Sequence, residues 1–138
     1  MRDQTIQVVI VDDHDRYRVS LMNLLNAEQD LNVVGQGASA QEAIELASTL
    51  CPHLIVLDLE MPGNGLNAAE AISRIYPSIK IVMLSASNDE QHMQIAQQNG
   101  AHGYILKGTT ARTIAHALRS IYDGMQIWPA MSVGSSSC

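Results

Sequence analysis

The sequence predicts an α/β protein of (βα)5 form, a three-layer sandwich in which one parallel sheet carries helices on both faces. Three observations predict it. Five short apolar runs alternate with five segments of helical period. The runs are rich in Val, Ile and Leu, as strands buried on both faces are. Three of them end in a charged side chain at the start of a turn, which is where open α/β sheets carry their chemistry.

The first run, Val8-Val9-Ile10-Val11, gives a strand over 7–11 that ends in Asp12-Asp13. Tyr17, Leu21, Leu24 and Leu25 follow as one stripe of a helix. A second strand over 31–35 leads to a helix that opens with a capping box, Ser39 with Glu42, and carries Ala43, Leu46, Ala47 and Leu50 on one face. The third strand, 54–58, is Leu54-Ile55-Val56-Leu57 closed by Asp58, and Leu59-Glu60-Met61-Pro62-Gly63 turns the chain at once. A third helix over 66–76 ends before Pro77, which biases the preceding residue away from helix. The fourth strand, 80–84, delivers Ser85 at its tip. Asp89 and Glu90 suit the start of the fourth helix and Gly100 its stop, with Met93, Ile95 and Ala96 on the apolar side. The fifth strand, 103–106, contains Tyr104-Ile105-Leu106 and ends in Lys107; Ile114, Ala117, Leu118 and Ile121 mark the fifth helix. After Asp123-Gly124 the pattern dissolves, so residues 1–124 read as one domain and 125–138 as a linker or tail.

A chain of 138 residues holds one core of ordinary size and leaves no room for a second domain. Hydrophobic residues at 46% and charged residues at 16% exclude a disordered or fibrous class. No apolar run reaches the roughly 18 residues that cross a bilayer, and the first residues lack a signal-peptide pattern; a cytoplasmic protein without membrane contact is the expectation. Cys51 and Cys138 are poorly placed for a disulfide framework and read as free thiols. Net charge is −6 and the eight basic residues are scattered, so this segment offers no stripe to nucleic acid. The five histidines share no ligand spacing and read as structural or surface groups, with His14 set apart because it adjoins the acidic cleft. The methionines read as core, and Gly35 with Gly37 lacks the remaining glycines of a dinucleotide loop.

Ligands of open α/β sheets bind outside the carboxyl ends of the strands where strand order reverses, which gathers Asp12, Asp13 and Asp58. Two like charges about 5 Å apart repel by roughly 3 kcal/mol at an effective dielectric near 20. Such a cluster calls for a cation, and an oxygen-only set with room for waters describes Mg²⁺ better than Zn²⁺. Lys107 adds a mobile ammonium and Ser85 a hydroxyl. A nucleophilic carboxylate, a divalent cation, a lysine and a hydroxyl donor together suit phosphoryl transfer to an acid.

Over residues 6–124 the chain resembles the receiver domain of bacterial two-component response regulators. The resemblance rests on Val-Asp-Asp-His at 11–14, Val-Leu-Asp-Leu-Glu-Met-Pro-Gly at 56–63, Met-Leu-Ser-Ala at 83–86 and Gly-Ala-His-Gly-Tyr-Ile-Leu-Lys at 100–107. It is closest to the subfamily whose receivers precede a LuxR-type helix-turn-helix. The resemblance implies a flavodoxin-like fold of strand order 2-1-3-4-5 and a phosphoryl group accepted on Asp58 from a sensor histidine kinase. It implies Mg²⁺ held by Asp13 and Asp58, by the main-chain carbonyl of Glu60, and by Asp12 through water. Ser85 and Lys107 would contact the phosphoryl oxygens, and Tyr104 would be the aromatic switch that follows Ser85. It further implies a signalling domain with weak autophosphorylation and autodephosphorylation, not an enzyme. Homodimerisation and regulation of transcription are implied too, with DNA reached only through an output domain absent from these residues.

Four features depart from the family pattern. Gly108 stands after Lys107 where the family often has a proline with a cis bond, and a non-proline cis peptide costs about 3 to 4 kcal/mol, so the isomer stays open. The turn over 62–66 is one residue shorter than usual, which leaves the start of the third helix open. Glu60 brings a carboxylate beside the cation, and it either reaches toward the ion or repels the phosphoryl group. The DNA-binding domain is the fourth, being absent here. Two other classes compete. An aspartyl-phosphate phosphohydrolase typically has Asp-x-Asp after an early strand and a cap insertion, whereas here Asp58-Leu59-Glu60 follows the third strand. A non-phosphorylated interaction module of the same fold is the other. Arg112, His116 and Arg119 on the fifth helix, opposite its apolar stripe, are a candidate partner face whose ordinary reading is a solvated surface.

Overall fold

The computed structural model describes residues 5–129. Its elements alternate strictly: β1 Ile6–Val11, α1 Asp15–Asn26, β2 Leu31–Gly37, α2 Ala40–Leu50, β3 Leu54–Asp58, α3 Gly65–Ile75, β4 Lys80–Ser85, α4 Glu90–Gln98, β5 Gly103–Leu106 and α5 Ala111–Tyr122. The strands form one parallel sheet in the order β2-β1-β3-β4-β5, the flavodoxin-like arrangement. Strand order reverses beside β1, so its carboxyl end and that of β3 border an open crevice.

Side chains alternate across each strand and separate two cores. Val9, Val11, Ile55, Leu57, Ile81 and Met83 point toward α2, α3 and α4. Ile6, Val8, Ile10, Leu54, Val56, Val82 and Leu84 point toward α1 and α5. With both faces covered, nearly every residue of β1, β3 and β4 is buried, which explains continuous apolar runs in place of alternation.

Several local expectations shift. β2 extends two residues further than 31–35, to Gly37, with a register irregularity opposite Val8 and Val9. A Cβ on Gly35 would lie 2.7 Å from Leu50 Cδ1 and 3.3 Å from Leu46 Cδ2, so this glycine faces side chains of α2. Leu24 is 53% exposed and Ile95 41%, although both fit the helical stripes. α1 buries Leu21 and Leu25 while Leu24 falls at the margin of that face, and α4 buries Met93 and Ala96. Short helices on an open sheet turn a narrower face inward than an apolar stripe implies. Ser39 Oγ accepts from the Glu42 N–H as a capping box requires, but the Glu42 carboxylate accepts from Ala38.

The short turn after β3 resolves the start of the third helix. α3 begins at Gly65, one residue before the expected 66. Asn64 adopts φ 70° and its side chain caps Leu66 N–H at 2.7 Å. Gly65 N–H donates to Leu59 O at 2.9 Å, and a Cβ there would lie 2.0 Å from the Asp58 carbonyl oxygen. Only glycine allows the chain to pass that close.

Arg119 leaves the solvated face expected of α5. Its guanidinium engages both Asp30 oxygens at 2.8 and 2.9 Å and also pairs with Glu28, clamping α5 to the segment between α1 and β2. Burial is resisted by these charge-assisted bonds, which hold the guanidinium firmly protonated. His53 and His102 are structural acceptors, from Gln7 N–H at 2.9 Å and Ile81 N–H at 3.0 Å. Cys51 is a free thiol. Beyond α5, Ile127 bridges Gly103 and its carbonyl accepts from Tyr104 N–H at 2.9 Å, so the first part of the expected tail lies along β5. Residues 130–138, with Cys138, lie outside the described residues. The described peptide bonds are all trans, including Lys107–Gly108.

Candidate functional site

Sheet register assembles the site. Val11 lies level with Leu57, which brings Asp12 level with Asp58; Asp58 pairs with Leu84 and Ser85 with Leu106, so Ser85 and Lys107 follow on the same rim. Asp12, Asp58 and Ser85 are buried, at 0%, 2% and 1% exposure. Asp13 lies at the surface, and Lys107 reaches in from β5 with its side chain mostly covered.

Lys107 Nζ stands 2.8 Å from Asp12 Oδ2 and 3.4 Å from Asp58 Oδ1. The nearer contact is a close ion pair without an aligned hydrogen bond. The ammonium also lies 4.9 Å from the centre of the Tyr17 ring, a cation–π contact. Asp58 Oδ2 is buried and accepts no hydrogen bond. Burial and then the neighbouring Asp12 charge push the Asp58 carboxyl up to about 6. Asp12 behaves oppositely: burial opposes its charge, but the adjacent Lys107 ammonium and hydrogen bonds from the backbone and ring of His14 hold it below the usual carboxylate range. The buried Tyr17 phenol is pushed up to about 12 by desolvation and by the Asp12 and Asp58 charges, so it stays neutral over the cleft.

Asp12, Asp13, His14 and Asp58 each offer one ligand atom, and these atoms all lie within 4.8 Å of one another. This cluster suits a metal ion, and the buried Asp58 oxygen without a partner is the kind of atom an ion satisfies. Glu60 lies in the bend after β3 with its side chain exposed. Ser85 Oγ accepts from Ser87 N–H at 3.0 Å, and the buried Tyr104 donates its hydroxyl to Ser87 O at 2.7 Å. One short segment therefore ties the β4 tip to Tyr104. The Tyr104 ring also lies stacked near Trp128, with centroids 6.4 Å apart.

Sequence reasoning did not assign two participants. His14 Nδ1 lies 2.9 Å from Asp12 Oδ1, and Arg18 donates to Asp12 O at 2.7 Å and to Asp15 Oδ1 at 2.9 Å. Arg18 was visible in outline, since it stands one helical turn after His14 and so faces back to the loop that carries Asp12.

The fold and the rim define a class: a flavodoxin-like domain with an acidic, lysine-guarded cleft at its switch point. The chain belongs to the response regulator receiver domain family, whose pattern matches residues 8–119. It is 38% identical over 126 residues to the response regulator protein VraR of Staphylococcus saprophyticus, covering 91% of this chain and 60% of that protein. The chain thus spans about three fifths of the length of that relative. Among solved structures it resembles the signal receiver domain of NarL from Mycobacterium tuberculosis, with a TM-score of 0.84 and 31% identity over 88% of this chain and 98% of that one. It also resembles the isolated receiver of RcsB from Salmonella enterica serovar Typhimurium, solved with the phosphomimetic BeF₃⁻. There the TM-score is 0.82 and identity 25%, over 91% of this chain and 94% of that one. These relatives fit the LuxR-type subfamily. No helix among the described residues is long and apolar enough to cross a membrane.

Proposed function

We propose that Asp58 of this receiver domain accepts a phosphoryl group from the phosphohistidine of a sensor histidine kinase. The observation that carries the reading is the Asp58 carboxylate itself, buried at the strand tip with one oxygen toward Lys107 and the other without a hydrogen bond. A carboxylate oxygen attacks phosphorus, the phosphorus–nitrogen bond breaks, and the imidazole leaves with the electron pair, giving an acyl phosphate. Desolvation and the Asp12 charge raise the energy of the ionised Asp58, and transfer turns its attacking oxygen into a neutral ester oxygen, leaving the negative charge on the phosphoryl oxygens that Lys107 faces.

Asp13 and Asp58 would hold Mg²⁺ through carboxylates, the Glu60 main-chain carbonyl would add a ligand, and Asp12 would act through water. When bound, Mg²⁺ supplies charge neutralisation for the phosphoryl oxygens. Lys107, 2.8 Å from Asp12 and 3.4 Å from Asp58, needs a small torsional change to leave one carboxylate and meet a phosphoryl oxygen. Ser85 donates its hydroxyl to the same group, which alters the Ser87 turn; Tyr104, bonded to Ser87 O, transmits the change to the face made by α4, β5 and α5. The exposed Glu60 side chain sets the lifetime of the adduct by repelling it or by steering water.

Weak autophosphorylation and autodephosphorylation follow from the same groups. The receiver occupies residues 1–124, with the following residues leading to an output domain that regulates transcription in the cytoplasm. A homodimer is the partner form, supported by a solved structure of two RcsB dimers on two parallel DNAs. In the test, Mg²⁺ and acetyl phosphate label the wild-type chain, and Asp58→Asn removes the label. Undiminished labelling of the variant would sink the Asp58 assignment.

A further inference from the structure

We propose that His14 adds a nitrogen ligand to the acidic cleft, so that this receiver takes late first-row divalent ions, Zn²⁺ and Co²⁺ among them, in preference to Mg²⁺. The inference rests on the cleft being a cation site and assigns that site a larger selectivity than its carboxylates alone would give.

The sequence left His14 beside an oxygen-only set; the fold places it inside. His14 Nδ1 is 2.9 Å from Asp12 Oδ1, 3.3 Å from Asp13 Oδ1 and 3.5 Å from Asp58 Oδ2. Ligand bonds of about 2.1 Å put neighbouring ligand atoms about 3.0 Å apart in an octahedron and about 3.4 Å apart in a tetrahedron. The three separations from Nδ1 fall close to those edges, and the four ligand atoms lie within 4.8 Å of one another, so small side-chain rotations bring them onto one ion. A second observation concerns burial and hydrogen bonding. Asp58 is 2% exposed and its Oδ2, the oxygen facing the imidazole, has no hydrogen-bond partner. A buried acceptor in that state is completed by a cation.

The imidazole is accessible to an incoming ion, since its side chain is 62% exposed. Lys107 Nζ lies 3.1 Å from the same Nδ1 and 2.8 Å from Asp12 Oδ2. Nδ1 cannot donate to Asp12 and accept from Lys107 at once, so one of these two contacts is always frustrated. Coordination through the Nδ1 lone pair resolves the conflict and lets the ammonium remain with Asp12. Mg²⁺ favours oxygen ligands and gives up water reluctantly, whereas imidazole suits Zn²⁺, Co²⁺ and Ni²⁺, for which affinity at nitrogen and oxygen sites also rises along the first row.

Calorimetry on the whole metal-stripped chain at constant neutral pH reads the selectivity, with Zn²⁺, Co²⁺ and Mg²⁺ titrated separately into wild type, His14→Gln and Asp13→Asn. In His14→Gln the Zn²⁺-to-Mg²⁺ affinity ratio falls by about tenfold or more, the usual scale for a lost ligand-shell group. The visible spectrum of bound Co²⁺ changes with it. Because the His14 ring is largely outside the core, the variant keeps the wild-type circular dichroism. An unchanged affinity ratio together with an unchanged Co²⁺ spectrum overturns the nitrogen ligand. The Asp13→Asn arm separates the two levels: undiminished Mg²⁺ affinity there contradicts the cation cleft itself, while the His14→Gln ratio bears only on the selectivity.

Discussion

Replacing Asp58 by Asn should make the metal-free protein more stable at neutral pH, although it removes a buried residue at the centre of the site. Asp58 is 2% exposed, sits beside the Asp12 carboxylate and has its carboxyl raised to about 6. A carboxyl near 3.9 in the unfolded chain and near 6 in the folded one is displaced by about 2 units, and each unit is worth about 1.4 kcal/mol. The sign follows from proton uptake. The folded state binds the proton more tightly, so the contribution of Asp58 is most favourable below about pH 4 and is lost as pH rises through about 6. Above that pH the ionised side chain costs about 3 kcal/mol, and at pH 4.5 about 1 kcal/mol. Asn is nearly isosteric and removes the charge, so urea denaturation in EDTA should show a gain of about 2 to 3 kcal/mol at pH 7.5 that shrinks to about 1 kcal/mol at pH 4.5. Millimolar Mg²⁺ should stabilise wild type and leave the variant nearly unmoved, closing the gap. A loss of stability at pH 7.5, or an equal gain at both pH values, would refute the electrostatic reasoning.

Asp13→Ala should weaken Mg²⁺ binding by tenfold or more by calorimetry, on the scale of a lost ligand, while the fold survives because this side chain is at the surface. Lys107→Ala should abolish labelling by acetyl phosphate. It should also cost about 2 kcal/mol above about pH 4, because the fully buried Asp12 loses its cation; the cost fades at lower pH, where Asp12 takes up a proton. Gly65→Ala should lower stability by about 2 kcal/mol or more and disturb Mg²⁺ binding, because its Cβ would enter the Asp58 carbonyl oxygen; a neutral result in urea denaturation would contradict the geometry of the shortened turn. Arg119→Ala should cost about 1 to 2 kcal/mol in the same assay, reflecting the partly exposed clamp to Asp30 and Glu28.

Strands β1, β3 and β4 were legible because burial on both faces writes itself as uninterrupted Val, Ile and Leu, and parallel register then brings their tips level whatever the helices do. Asp12, Asp58, Ser85 and Lys107 inherited that legibility as the first residues past the apolar runs or the last within them. Helix faces were less legible. Leu24 and Ile95 satisfy the 3.6-residue period yet lie in water, since periodicity records which side chains share a stripe and not how wide a stripe the sheet accepts. The role of Arg119 was hidden for a related reason: its partners Asp30 and Glu28 lie far away in sequence and meet it only once α5 packs beside α1. His14 shows the limit most sharply. Its position after Asp12-Asp13 was plain, but whether the ring turned into the cleft depended on a side-chain rotation that no spacing encodes.

The acyl phosphate itself offers the most direct test of the phosphoacceptor site. Wild-type chain treated with acetyl phosphate and Mg²⁺ is quenched with borohydride, which reduces an aspartyl phosphate to homoserine, and the peptides are sequenced by mass spectrometry. Homoserine at position 58, with Asp12 and Asp13 unmodified, is the expected result. Homoserine at position 12 or 13, or none in a chain that binds Mg²⁺, would contradict the assignment of Asp58.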